Sequence, residues 1–484
     1  MSTFRTPGVY IQEISTLPAS IAAVETAIPA FIGYTAQTTF EGESLVNKPT
    51  RITSLLDYIE RFGGPRSEAF TLTIADSYDG VDGAPATLAS RAISASLASP
   101  SAYKMYYQLQ MFFNNGGGPC YIVSVGADTA AIIPGDANTG TGLLGGLKAL
   151  EKADEPTLIL FPDDMTIASY QAVYDAALAQ CEKLKDRFVV MDVKEETTDA
   201  VADGGTFRNT GIGADNLKYG AVYYPKLQTT LNYGFDSATL TVTHNNTYIG
   251  AGTPNPAVPA NGAFNGQTLD TINSTDPSVY RAILVEINKV FADLAPSGAI
   301  AGVYARVDNE RGVWKAPANV SVRSVIGPTQ KITNDDQDTL NIDATSGKSI
   351  NAIRTFTGRG TLVWGSRTLA GNDNEWRYVP VRRLYIFIEE SVKKATEFVV
   401  FEPNTANTWL RTKTMIENFL AQLWRDGALA GAVPEDAFFV KVGLGETMTA
   451  QDILEGRMNI EIGMAAVRPA EFIILKFSHK LQES

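Results

Sequence analysis

Between residues 102 and 225 the apolar positions fall into short continuous runs separated by segments of helical period. YKMYYQLQMFF (103–113) has a helical pattern, NNGGGP (114–119) reads as a turn, and YIVSV (121–125) as a buried strand. A helix around 142–152, the strand TLILF (157–161), a helix from about 168 to 185, the strand FVVMDV (188–193) and AVYYP (221–225) continue the alternation. Apolar strands alternating with helices predict crossover units and a mostly parallel sheet covered on both faces. Upstream, VYIQEI (9–14) and Ala30–Tyr34 are further strand candidates.

The texture then changes. ATLTVT (238–243) has the two-residue period of a half-buried strand and leads into a stretch dense in Gly, Pro and Asn, so 226–278 reads as a small β insertion. A helix at about 277–295 returns to the core, and 66–100, rich in Ala, Ser and Gly, reads as a second surface excursion. Two amphipathic helices follow in the last third. Leu384, Phe387, Ile388, Ser391, Ala395 and Val399 form the apolar stripe of the first. Its other face carries Glu389, Glu390, Lys393, Lys394 and Glu397, with Glu389–Lys393 and Glu390–Lys394 in the favoured i,i+4 order. This face is expected to be solvated. In the second helix Trp409, Ile416, Phe419, Leu420 and Leu423 form the stripe, and Gly427 stands where a C-terminal cap belongs. In EFIILKFSH (471–479), Ile473, Leu475 and Phe477 alternate against Phe472 and Ile474, which predicts a strand built for burial on both sides.

Length and composition narrow the class. With 484 residues and 44% hydrophobic content, the chain has room for two or three globular domains. A formal charge of −13 argues against a nucleic-acid partner, since phosphate binding depends on a basic surface. No apolar run reaches the roughly 18 to 20 residues of a membrane helix, and the opening MSTFRTPGVY lacks a secretory pattern, so cytoplasmic synthesis is expected. Cys120 and Cys181 have no CxxC partner and read as small hydrophobes, and two histidines, His244 and His479, leave no zinc constellation.

Candidate chemistry is thin. Asp163 and Asp164 follow the TLILF strand, at the sheet edge where α/β proteins bind ligands. Asp after Pro162 at a helix start is equally the expected capping residue, stabilised by the helix dipole. GKS (347–349) lacks the earlier glycine of a phosphate loop, because position 342 is Ile. NNGGG (114–118) precedes a strand rather than a helix and reads as a tight turn, and NDDQD (334–338) reads as a solvated loop. RGVWKAPAN (311–319) reads as a structured turn with a packing or intersubunit role.

Several segments together resemble the tail sheath proteins of contractile phage tails and related contractile injection systems. They are TPGVYIQEI (6–14), VETAIPAFIGYT (24–35), FFNNGGGPCYIVSV (112–125), GVYARVDNERGVWKAPANVSV (302–322), LVWGSRTL (362–369), WRYVPVRRLYIFIEESVKKATEFVVFEPN (376–404) and GMAAVRPAEFIILKFSH (463–479). Segments 66–100 and 226–278 fall outside the resemblance. It implies an α/β fold, α+β overall, with an N-terminal linker arm (1–25) and a middle α/β domain (26–225 and 279–360). A β-rich outer insertion (226–278) and an inner domain (361–484) ending in a terminal strand arm (471–484) complete the implied layout.

The same resemblance implies that Val9, Tyr10 and Ile11 in one arm, and Phe472, Ile473, Ile474, Leu475 and Phe477 in the other, add strands to neighbouring copies. It implies that Glu389, Glu390, Lys393, Lys394 and Glu397 face an inner tube. The implied product is a helical sheath of many copies around a tube protein, with baseplate and terminal cap partners. It would be assembled in the cytoplasm, be carried by a phage tail or released tail-like particle, need no cofactor, and neither bind nucleic acid nor insert into membranes. The alternatives are an α/β enzyme using Asp163 and Asp164, or a surface-binding module using 226–278.

Overall fold

The computed structural model describes residues 21–475. The apolar runs become the strands β1 (Pro29–Thr35), β2 (Thr50–Ile52), β3 (Thr71–Asp79), β4 (Thr87–Ser96), β5 (Cys120–Ala127), β6 (Leu158–Leu160), β7 (Phe188–Asp192) and β8 (Gly220–Tyr224). There follow β9 (Leu227–Asn232), β10 (Val242–Tyr248), β11 (Phe291–Leu294), β12 (Val320–Ser321), β13 (Val325–Pro328), β14 (Asn351–Phe356), β15 (Gly360–Val363), β16 (Phe438–Lys441) and β17 (Glu461–Met464). The principal helices are α1 (Met105–Asn114), α2 (Gly142–Leu150), α3 (Ile167–Leu184), α4 (Ser297–Arg311), α5 (Val379–Thr396) and α6 (Ala406–Arg425).

Nine strands form one sheet in the order β12-β15-β14-β8-β7-β6-β1-β5-β2. From β14 to β5 every neighbouring pair is parallel, and antiparallel β15 and β2 flank that block. All seven residues of β1 and all five of β7 and β8 are buried, the signature of a sheet covered on both faces. Phe31, Ile32, Ile122, Val123, Leu158, Val189 and Val222 are fully buried in it, with Leu109, Leu143, Leu178 and Ile300 of α1 to α4.

The chain divides into two compact units. The larger is Glu25–Ile386 with Pro469–Ser484, and the smaller is Phe387–Arg468 with the residues through Val24. The inner domain expected from residue 361 would begin inside the β14–β15 hairpin, where Ile353 pairs with Val363 and Phe356 with Gly360. Residues 361–386 therefore belong with the large sheet. In the smaller unit the second half of α5 meets α6 through Phe387 and Phe419, whose ring centroids are 6.1 Å apart. Gly427, at φ 84°, ends α6. The Ala428 N–H donates to Leu423 O at 2.9 Å and the Gly427 N–H to Trp424 O at 3.0 Å, so the cap predicted there is a Schellman turn.

Three sequence expectations are corrected. NDDQD opens a helix, Asn334–Asn341, because Thr333 and Asp336 form a reciprocal capping box. The helix at 277–295 stops at Ile287, and Phe291–Leu294 becomes a strand paired with β9. The two surface excursions are a single element: β10 runs parallel to β3 from Val242–Leu72 to Tyr248–Tyr78, and β4 completes a three-stranded sheet. β9 lies outside it and pairs with β11 and β13.

Candidate functional site

The sheet's C-terminal edge is closed where Asp163 stands. Asp163 is 4% exposed, and its carboxylate accepts main-chain N–H groups from Tyr34 at 2.8 Å and Lys104 at 2.9 Å. The capping expectation is corrected here, because the N-terminal boundary residue of α3 is Thr166 and Asp163 instead ties the end of β1 to the start of α1. A side chain added at Gly33 would meet Asp163 Oδ2 at 2.5 Å, so the main chain of β1 packs directly against this carboxylate. Burial raises the Asp163 carboxyl to about 7 against the lowering effect of those N–H groups. Asp192, at the end of β7, is also raised to about 7 by burial and accepts the Ser297 N–H at 2.8 Å. Asp164 faces Lys226 Nζ at 3.6 Å. Asp163 thus joins elements of the scaffold, and Asp164 stands beside a lysine. A cavity of about 100 Å³ opens instead near the start of β1, beside Thr26, Arg51 and Asp308. Among the described residues no cluster of His, Cys, Asp or Glu is arranged to hold a metal.

The remaining motifs also close on the protein itself. Lys348 of GKS is buried and donates to Arg208 O at 2.7 Å and Ile212 O at 2.9 Å. In the β3–β4–β10 sheet, His244 is 1% exposed, with Nε2 2.9 Å from Asp76 Oδ2. Its Nδ1 accepts the Phe264 N–H at 3.3 Å, which places the ring proton on Nε2. Arg91 grips both oxygens of Asp76 at 2.7 Å, and that hydrogen bonding holds the carboxyl below its usual range despite burial. The three side chains clasp the two excursions together. The sequence reading named His244 but not this role, although its two-residue offset from Val242 marked it as inward-facing.

The sequence-predicted arm and helix residues separate into three groups. Val9, Tyr10, Ile11 and Phe477 lie outside the described residues. Phe472, Ile473, Ile474 and Leu475 are 66%, 80%, 80% and 71% exposed and belong to no strand. On α5, Lys393 is exposed and Glu397 lies in the short 3₁₀ turn that follows. Glu390 departs from the expected solvated face, being 6% exposed. Lys393 Nζ at 3.1 Å and Lys394 Nζ at 3.4 Å both close on it, so two ammonium groups offset the charge of one inward carboxylate.

Two further features were not read from the sequence. The first is the pair β16–β17 in the smaller unit, a two-stranded antiparallel sheet that joins Phe438 to Met464 and Lys441 to Glu461. The alternation of FFVK and IEIGM was its available signal. The second is Glu471, immediately before the exposed run. Arg367 Nε and Nη2 reach its two oxygens at 2.9 and 2.6 Å, Asn341 Nδ2 donates at 2.9 Å and Tyr378 OH at 3.1 Å. No periodicity announces a contact across that sequence separation.

Comparison with known proteins bears on these surfaces. Residues 136–369 match the phage tail sheath protein central domain and residues 371–480 the phage tail sheath C-terminal domain. A chain of the anti-feeding prophage baseplate structure is similar over 99% of this chain and 100% of its own, at 33% identity and a TM-score of 0.64. A chain of the contracted sheath complex of PVC, an extracellular contractile injection system, is 30% identical over 99% of both chains, with a TM-score of 0.63. A protein named as a prophage major tail sheath protein of Pseudomonas aeruginosa is 25% identical over 37% of this chain and 44% of its own length. The tail sheath protein of Enterobacteria phage T4 is 24% identical over 25% of this chain and 18% of its own. The matched segments thus span less than half of these curated relatives.

Proposed function

The chain belongs to the phage tail sheath family, and on that premise we propose that it is a structural subunit which polymerises as a helical cylinder around an inner tube and contracts to drive that tube through a target envelope. One observation supports this reading: a two-stranded sheet and an exposed apolar segment outside any sheet occur in the same chain. Among the described residues β16 and β17 form a sheet with no third strand, while Phe472–Leu475 present alternating apolar side chains to solvent with no sheet of their own. An unpaired apolar strand is an aggregation hazard in a monomer, and it is an assembly device where every copy offers a matching edge.

Strand addition suits a lattice that must rearrange. Main-chain hydrogen bonds hold neighbours, alternating side chains fix register, and a backbone link lets each copy rotate while still joined. The energy then comes from the difference between two lattices, with no nucleotide consumed. The segment before residue 15 is the second proposed donor. Glu389, Lys393, Lys394 and Glu397 are the proposed contacts with the tube protein, and baseplate and cap proteins are the further proposed partners. No helix among the described residues is long and apolar enough to cross a membrane. The proposed location is the cytoplasm during assembly, then a phage tail or a released tail-like particle.

Electron microscopy tests the reading directly. The purified chain is expected to form hollow striated cylinders, and the chain lacking 471–484 is expected to remain a folded monomer. Full-length cylinders made from the truncated chain would defeat the exchange of strands.

A further inference from the structure

Glu471 is the last strongly held residue before the exposed run. Arg367 is 3% exposed, and its guanidinium forks onto both oxygens of Glu471. With the Asn341 amide and the Tyr378 hydroxyl added, the acceptor positions of the carboxylate are filled. Arg367 is itself fixed to the large sheet. Its N–H donates to Asn351 Oδ1 at 2.7 Å, and Asn351 Nδ2 donates to Arg367 O at 2.8 Å and to Val222 O of β8 at 3.1 Å. One residue further on, Phe472 is 66% exposed, and the three after it are more so.

An ion pair of this quality would be idle if the following segment merely trailed in solvent. We propose that Glu471 is the positioning residue of strand exchange: it fixes the point and direction from which the segment beginning at Phe472 leaves its own copy, and it passes tension on that segment through Arg367 and Asn351 into the parallel sheet. This rests on the sheath reading above. The physical gain is preorganisation. With the root clamped, fewer backbone torsions remain to be ordered when the strand docks on a neighbour, and each residue left free instead weakens docking about tenfold.

The test uses full-length protein and two readouts. Glu471→Ala removes the clamp without touching the strand; it leaves the buried Arg367 guanidinium without its carboxylate, so its monomer is expected to melt lower, and polymerisation is compared at a temperature where both proteins are folded. Its critical concentration for polymerisation is expected to rise about tenfold or more. Glu471→Gln, which keeps an acceptor but loses the charge, is expected to fall between the two. The second readout is an intermolecular disulfide between Ile474→Cys on one population and Glu461→Cys on another. Cys120 and Cys181 are fully buried and leave the background low. Polymerisation and cross-linking of Glu471→Ala at wild-type levels would overturn the positioning role while leaving strand exchange intact. So would a variant that only melts lower. Cylinders of the otherwise wild-type cysteine pair that form without any cross-link would overturn strand exchange, and the clamp with it.

Discussion

At the scale of single residues, buried acids organise this protein. Asp163 joins strand to helix by accepting two main-chain N–H groups whose residues are distant in sequence, which is why the chain reading could place it at the sheet edge but not say what it held there. Its carboxyl is raised to about 7, well above the unfolded value of 3.8, so the folded form binds the proton more tightly. Its contribution to stability is therefore complete below about pH 4 and is lost as pH rises to about 7. Wild-type stability minus that of Asp163→Asn is expected to fall across that window by up to about 1.4 kcal/mol per pH unit, as read by urea unfolding. A flat difference would show that the group stays ionised throughout. At acid pH the variant itself is expected to lose about 1–3 kcal/mol, because its amide presents N–H to an N–H donor.

Among the elements, those written in local pattern were legible and those made by distant pairing were not. Alternating strands and helices announced the parallel sheet, and Gly427 announced its cap. Thr333 and Asp336 also carried a readable signal, a hydroxyl followed three residues later by a carboxylate, which the acidic run concealed. The pairing of β3 with β10 depends on segments far apart in sequence and had no such signal. On α5 the periodicity marked Glu390 as outward, but two neighbouring lysines let it turn in. That changes how the tube-facing assignment is tested. Reversing both lysines would leave a buried carboxylate beside two more carboxylates and damage the fold. Lys393→Gln with Glu397→Gln keeps the Lys394–Glu390 contact and sets no further carboxylate beside Glu390. This pair is expected to weaken co-assembly with tube protein in a pelleting assay, most clearly at low salt, and to spare self-assembly. Unchanged co-pelleting would count against the assignment.

Across the whole molecule, the boundaries of the larger unit along the chain share one construction. Near the crossing at 24/25, Thr26 Oγ1 donates to Asp308 Oδ2 at 2.6 Å, and near the crossing at 386/387, Arg383 closes on the same carboxylate at 2.5 Å. Arg383 also donates to Thr26 O at 2.9 Å. Past the crossing at 468/469, Glu471 meets Arg367. Within the larger unit an arginine–carboxylate pair therefore lies near each of its three boundaries along the chain. The family segments quoted from the sequence include Thr26, Asp308, Arg367, Arg383 and Glu471, yet nothing in their spacing revealed that they pair in this way.

The two-stranded sheet of the smaller unit has a final implication for growth. If every copy passes its C-terminal strand to the sheet of the next copy, the filament is polar, with an empty slot at one extremity and a spare strand at the other. Two different stoppers are then required, one shaped like a donor and one like a receiver. A synthetic peptide of sequence EFIILKF should imitate the first and poison elongation in a dose-dependent way, which light scattering would register as shorter cylinders, whereas a scrambled version should leave their length alone.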